Sequence, residues 1–259
     1  MSKIIDRIFE RGVAFVAFVI GTFHLLNVSG IVVLSTRDIR IFHLMMMLAL
    51  LFMTRASLKR LETSTADKLF RVALIAVSVA SCVYLMTRWK DIAFSGGETV
   101  PLDAWVGIVV LFLVLEAARR GVGMVLALIC LIFFTYPFYS SYLPGVLHGR
   151  GYNLTRMSEF LTTTSQGVFG IPLGVSSTYI ILFSIYGAFL STFGAGDFFF
   201  KLASRVTHGM RAAGAKTAVI FSTLLGMISG SAAGNVAVTG TLTIPMMKKR
   251  LRPASGRRH

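Results

Sequence analysis

The chain has 259 residues, 55% of them hydrophobic and 14% charged, with mean hydropathy +0.74. These values exclude an ordinary soluble globular domain and predict an all-α polytopic membrane protein. The formal charge of +15 invites a nucleic-acid reading, but the basic residues lie between apolar runs rather than on one basic domain. The expected surroundings are therefore a lipid bilayer and no nucleic acid.

A membrane span needs about 20 apolar residues. Six apolar runs are candidate spans in chain order: Ala14–Leu34, Ile41–Thr54, Val72–Thr87, Ala104–Ala118, Val122–Leu143 and Gly170–Phe193. The first follows a basic stretch, as a cleavable signal would. It exceeds the ~7–15 residues of a signal's apolar region, and no small-x-small cleavage site follows, so it reads as a retained anchor. Ile41–Thr54 is short and must borrow flanking residues or thin the bilayer. Cys82 and Cys130 sit inside apolar runs and read as small apolar side chains rather than a disulfide or metal pair.

Residues 1–118 form a predicted four-helix unit. Loop 55–71 is its most polar piece, and Arg88 to Glu98 make a loop at the opposite end. Glu116 precedes Arg119 and Arg120 at helical pairing distance and reads as an interfacial ion pair. A second unit spans 119–250, followed by a basic tail at 251–259. Phe133, Phe134, Tyr136, Phe138, Tyr139 and Tyr142 read as an aromatic belt at a span end. Leu154, Met157, Phe160 and Leu161 recur with helical spacing, predicting a short amphipathic helix on the outer surface. Pro172 should kink or start the sixth span. Gly194 is placed to end one helix and Asp197 to cap the next. The helix that follows puts Phe198, Leu202 and Val206 on one side with Lys201 and Arg205 a turn apart, as at a membrane interface.

Orientation follows from the short loops. With the N-terminus inside, the cytoplasmic segments hold 20 of the 26 basic residues. The expected location is a bacterial inner membrane, multi-pass, with a cytoplasmic N-terminus.

The most informative stretch is Lys216–Lys249, KTAVIFSTLLGMISGSAAGNVAVTGTLTIPMMKK. It is far longer than one span, and its centre is its most polar part. Gly226, Gly230 and Gly234 recur every fourth residue. One reading is a small-xxx-small contact between continuous helices. The other is a re-entrant hairpin of two half-helices, tolerated at membrane depth only where protein or a hydrated cavity covers the break. In that reading the first half-helix aims carbonyls and the second aims N–H groups at the tip. The hydroxyls of Ser229, Ser231 and Thr239 and the amide oxygen of Asn235 are hard donors suited to a small cation. The N–H end suits a carboxylate. No Asp or Glu lies well inside any span, which tilts coupling towards sodium rather than protons.

His24 and His43 raise the alternative of a membrane-anchor or cofactor-binding subunit of an electron-transfer complex. His24 is mid-span and His43 near a span start, so their expected depths differ by ~10 Å, poorly suited to the two faces of one haem. The sequence has no P-loop and no hydrolase or dinucleotide signature, which argues against an enzyme and against any bound cofactor beyond a coupling ion.

Residues from about Val122 to Arg250 resemble the opening portion of the large membrane component of TRAP transporters, most of all the fused permeases of the TAXI subgroup. The strings that carry the resemblance are YPFYSSYLPG, GVFGIPLGVSSTYI, GAFLSTFGAGDFF and GMISGSAAGNVAVTGTLTIPMMKK. Residues 1–118 resemble the family's fused small component only in hydropathy and span count. The resemblance implies a secondary transporter of organic acids such as C4-dicarboxylates, usually sodium-driven. It also implies a periplasmic solute-binding protein that delivers the substrate and an elevator-like movement. It assigns ion and substrate contacts to Ser229, Gly230, Ser231, Asn235 and Thr239, with Ser229, Ser231 and Asn235 as sodium ligands. Relatives continue for several hundred residues with a second hairpin, so the sequence is expected to be an incomplete permease.

Overall fold

The computed structural model describes residues 2–54, 65–95, 97–227, 235, 236, 238–241, 243 and 244, and among them there is no strand. Five helical stretches are long and apolar enough to cross a membrane: Phe9–Val28, Thr65–Phe94, Pro101–Gly121, Met124–Tyr142 and Ile171–Thr192. The protein is an all-α polytopic membrane protein. Its residues fall into two compact units, Met1–Ser177 and Thr178–His259.

In the first unit, α1 (Ser2–Val28) ends earlier than its apolar run, because the chain turns through Gly30 at φ 76°. The Asn27 side chain donates to the Val32 carbonyl across that turn at 3.0 Å. Helix α2 (Thr36–Thr54) begins where Ser35 Oγ accepts the Asp38 N–H at 3.1 Å, a side-chain cap for an orphan donor. It extends the short second run with Thr36–Arg40, as the length argument required. With Arg37, Asp38 and Arg40 at its start it is no lipid-facing span; it is the central helix, contacting α1, α3 (Thr65–Phe94), α4 (Pro101–Gly121) and α7 (Ile171–Val175). Ile41, Leu44, Leu48 and Phe52 follow its inner stripe into a core shared with Leu74, Cys82 and Leu85 of α3 and Val110 and Leu113 of α4.

Helix α3 has 30 residues, about 45 Å, and overruns the bilayer core at both ends. At one end it absorbs part of the predicted polar loop: Asp67, Lys68 and Arg71 are helical and buried. Arg71 Nε donates to the Phe52 carbonyl at 2.7 Å and Nη2 to that of Met53, satisfying carbonyls that the end of α2 leaves open. The guanidinium also lies over the Phe9 ring, 4.4 Å from its centroid. At the other end Asp103 of α4 is fully buried and accepts from Tyr84 Oη at 2.7 Å and the Val100 N–H at 2.9 Å. Glu116 pairs with Arg119 and Arg120, both at 2.7 Å, as the spacing predicted.

Helix α5 (Met124–Tyr139) contributes no buried residue and packs along α4. Its exposed Phe133, Tyr139 and the following Tyr142 suit an aromatic belt. Helix α6 (Leu154–Thr163) is the expected short amphipathic helix, N-capped by Asn153. The hydroxyl face of Ser158, Thr162 and Thr163 is buried against α4, and Leu154 and Phe160 face outward. In lipid the polar face of a helix needs protein more than the apolar face does.

Pro172 starts α7, in the first turn where its missing N–H costs nothing. A π-helical turn, Ser176–Ile180, leads into α8 (Ile181–Thr192), which Gly194 ends at φ 82°. In the second unit, α9 (Ala195–Val206) starts directly after Gly194. Asp197 therefore stands in the first turn rather than at the cap, still suited to the positive helix end. Phe198, Leu202 and Val206 stay exposed, whereas Phe199, Phe200 and Ala203 pack on Phe221 and Leu225 of α10 (Ala213–Gly226).

Candidate ion and substrate site

Helix α10 is launched from a tight corner: Gly209 and Ala212 both have positive φ, 77° and 55°. Thr207 and Thr217 join hydroxyls at 2.6 Å beneath that corner, both buried, which fixes the start of α10 on the end of α9. Each hydroxyl also bonds a carbonyl four residues earlier, so neither is orphaned in the apolar interior.

The decisive contact lies further along. Asn235 Nδ2 donates to the Ser222 carbonyl at 3.1 Å and approaches Ser222 Oγ at 3.3 Å. In a continuous helix, residues 222 and 235 would stand about 20 Å apart along the axis. They touch, so a single helix through both is excluded. Residues 235, 236, 238–241, 243 and 244 are again helical. Gly226 explains the approach: a Cβ there would sit 3.2 Å from Asn235 Nδ2. The four-residue glycine period thus serves, at Gly226, the return of the chain rather than a contact between continuous helices.

The orientation of the Asn235 amide is dictated by its partner. A carbonyl only accepts, so Nδ2 must face Ser222 and Oδ1 must face elsewhere. Oδ1 is buried and has no hydrogen-bond partner among the described residues. An unpartnered buried acceptor costs about 1–3 kcal/mol. A cation at that oxygen would remove the cost. One turn on, Thr239 Oγ1 donates to the Asn235 carbonyl at 2.8 Å and keeps its lone pairs. Thr243 repeats the pattern on the Thr239 carbonyl at 2.6 Å.

Of the five residues assigned to the site, Asn235 and Thr239 are described and adjacent. Ser229, Gly230 and Ser231 lie outside the described residues. Ser222 was not singled out from the sequence, although its signal was there. It precedes Gly226 by four residues and so shares the helix face at which the chain returns.

The histidines correct another expectation. His24 Nε2 and His43 Nδ1 are 3.1 Å apart, and His43 Nε2 meets Ser176 Oγ at 3.0 Å. The predicted depth difference is not observed, because α2 is packed on α1 with its borrowed first turn beyond the end of that helix. Both rings are buried and in direct hydrogen bonding, which leaves no room for an iron between them.

Comparison with curated proteins returns no match, and neither does comparison with solved structures. The family described as "Tripartite ATP-independent periplasmic transporter, DctM component" matches residues 109–255, more than half of the chain. That match covers α5 to α10 and the returning segment around Asn235. The chain belongs to the DctM-component family of tripartite ATP-independent periplasmic (TRAP) transporters.

Proposed function

We propose that this chain is the permease component of a sodium-coupled TRAP-type secondary transporter for organic acids, of the fused TAXI kind. In this reading its first four helices play the part of the small component. It lies in a bacterial inner membrane with its N-terminus in the cytoplasm, and a periplasmic binding protein hands it the substrate. The family match supports the transporter class, and the loop charges support the orientation.

The observation that supports sodium coupling is the buried Asn235 Oδ1, which has no hydrogen-bond partner among the described residues and lies beside the returning chain. Sodium takes hard oxygen ligands, and half-helix ends at a membrane break supply them as carbonyls. Thr239 and the predicted ligands Ser229 and Ser231 add hydroxyls, and Gly230 lets backbone approach the substrate. The N–H groups at the start of the second half-helix carry a partial positive charge suited to a substrate carboxylate.

The test is uptake by proteoliposomes supplied with the cognate binding protein and an imposed sodium gradient. Asn235→Ala and Ser231→Ala should each weaken apparent sodium affinity about 10–100-fold, the usual range for disturbing an ion's shell. Uptake with unaltered rate and sodium dependence in both variants would refute the site.

A further inference from the structure

The connection after α3 and the short helix α6 meet at one end of the first unit. Thr99 Oγ1 donates to Glu159 Oε1 at 2.6 Å, closing the connection over α6. Between them lies a cavity of about 260 Å³, with Trp89, Ile92 and Phe160 as apolar walls. Drug-sized ligands occupy about 300–1,000 Å³, so this space suits a smaller molecule. Its polar lining is Thr99, Arg156, Glu159, Thr163 and Thr164.

The hydroxyls at this cavity have already given away their hydrogens. Thr99 donates to Glu159, Thr163 Oγ1 to the Glu159 carbonyl and Thr164 Oγ1 to that of Phe160, each at 2.6 Å. A threonine hydroxyl has one hydrogen and two lone pairs. Thr164 Oγ1 uses one lone pair on the Gln166 N–H at 3.2 Å and keeps the other. What these side chains hold out to a ligand is therefore acceptors. The Glu159 carboxylate adds more, because it has about four acceptor positions and only Thr99 donates to it among the described residues. Arg156 Nη1 stands 3.8 Å from Glu159 Oε2, beyond hydrogen-bond distance, and its side chain is 74% exposed. The pair is open.

A pocket that offers acceptors and a negative charge selects a cation rich in N–H groups. A primary ammonium meets that demand, whereas a trimethylammonium brings no donor. The open pair supplies the second half of recognition. Glu159 can take the ammonium while Arg156, at the rim, takes an anionic group beside it. We propose that this cavity binds a small zwitterion, with its primary ammonium on Glu159, Thr163 and Thr164 and its anionic group on Arg156. Phosphoethanolamine has this chemistry, either as the free compound or as the headgroup of a phospholipid. The cavity is built wholly from the first unit, whereas the Ser222–Asn235 contact belongs to the second.

The test is calorimetric titration of the whole chain in mild detergent. Phosphoethanolamine should bind at one site, and phosphocholine, without N–H donors, about tenfold more weakly. Glu159→Gln keeps an acceptor for Thr99 and removes the charge, so it should weaken phosphoethanolamine about 10–100-fold. Arg156→Gln should weaken phosphoethanolamine and leave ethanolamine unchanged, a split that a purely structural role would not produce. Thr164→Val removes one hydroxyl at a half-exposed position and should weaken binding about threefold, which keeps the test open should Glu159→Gln fail to accumulate. Added lipid reads the source. Displacement by phosphatidylethanolamine and not by phosphatidylcholine assigns the site to a headgroup, and displacement by neither assigns it to a free zwitterion. Absence of saturable phosphoethanolamine binding, with no phosphatidylethanolamine retained in native mass spectrometry, would overturn the proposal. Equal affinity for phosphoethanolamine and phosphocholine would do the same, as would native affinity in both Glu159→Gln and Thr164→Val. None of these readouts involves sodium or the transported substrate.

Discussion

At the scale of single residues, the protein's charges and amides are placed where backbone has no other partner. Arg71 is the clearest case. It closes two carbonyls at the end of α2 from the start of α3, and a hydrogen bond from a charged group contributes about 1.5–3 kcal/mol. Arg71→Met keeps the stem and removes the donors, so it should lower thermal stability in detergent clearly more than a substitution at Lys90, in a partly exposed stretch of α3. Equal melting temperatures for the two would show that the α2 carbonyls find other donors. Gly226 belongs to this scale as well. Gly226→Val brings a branched side chain to a position whose Cβ already meets Asn235 at 3.2 Å. Sodium affinity in the uptake assay should fall at least as far as in Asn235→Ala. Retained affinity would mean that the Ser222–Asn235 contact does not shape the ion site.

At the scale of elements, several helices were legible as sequence because apolar runs of membrane length have few other uses. Pro172 and Gly194 also acted where they were expected, since one lacks a donor and the other tolerates positive φ. The ends were harder to read. Thr65–Arg71 looked like a cytosolic loop because many of its residues are polar, yet it is helical, and Asp67, Lys68 and Arg71 are buried. Helix α6 was placed by period, but the period alone does not say that its Ser158, Thr162 and Thr163 side would be the buried one. The return of the chain at Asn235 yields an element-scale prediction. Lys216→Cys and Lys248→Cys, introduced singly, should react with a membrane-impermeant thiol reagent from the same side of the membrane. Labelling from opposite sides would be incompatible with the Ser222–Asn235 contact in the membrane.

At the scale of the whole molecule, the distribution of Lys and Arg sets the expected direction of every span. Val146, fully exposed between α5 and α6, should be labelled as Val146→Cys from the periplasmic side of intact cells. A cysteine placed at Ser2 should be labelled only after the membrane is opened. The reverse pattern would invert the topology and move the binding protein's approach to the other face.

Composition and the length of the apolar runs determined by themselves that this is a helical membrane protein. The match of residues 109–255 to the DctM-component family determined that it is a membrane component of a TRAP-type transporter. Tertiary structure alone decided that Ser222 meets Asn235 and that His24 meets His43. It also decided that Arg37 and Arg40 spend their charge on the carbonyls of a distant segment. Local sequence sets which groups need partners in a medium without water. Which partner each finds depends on how the helices are laid against one another, and periodicity carries no record of that.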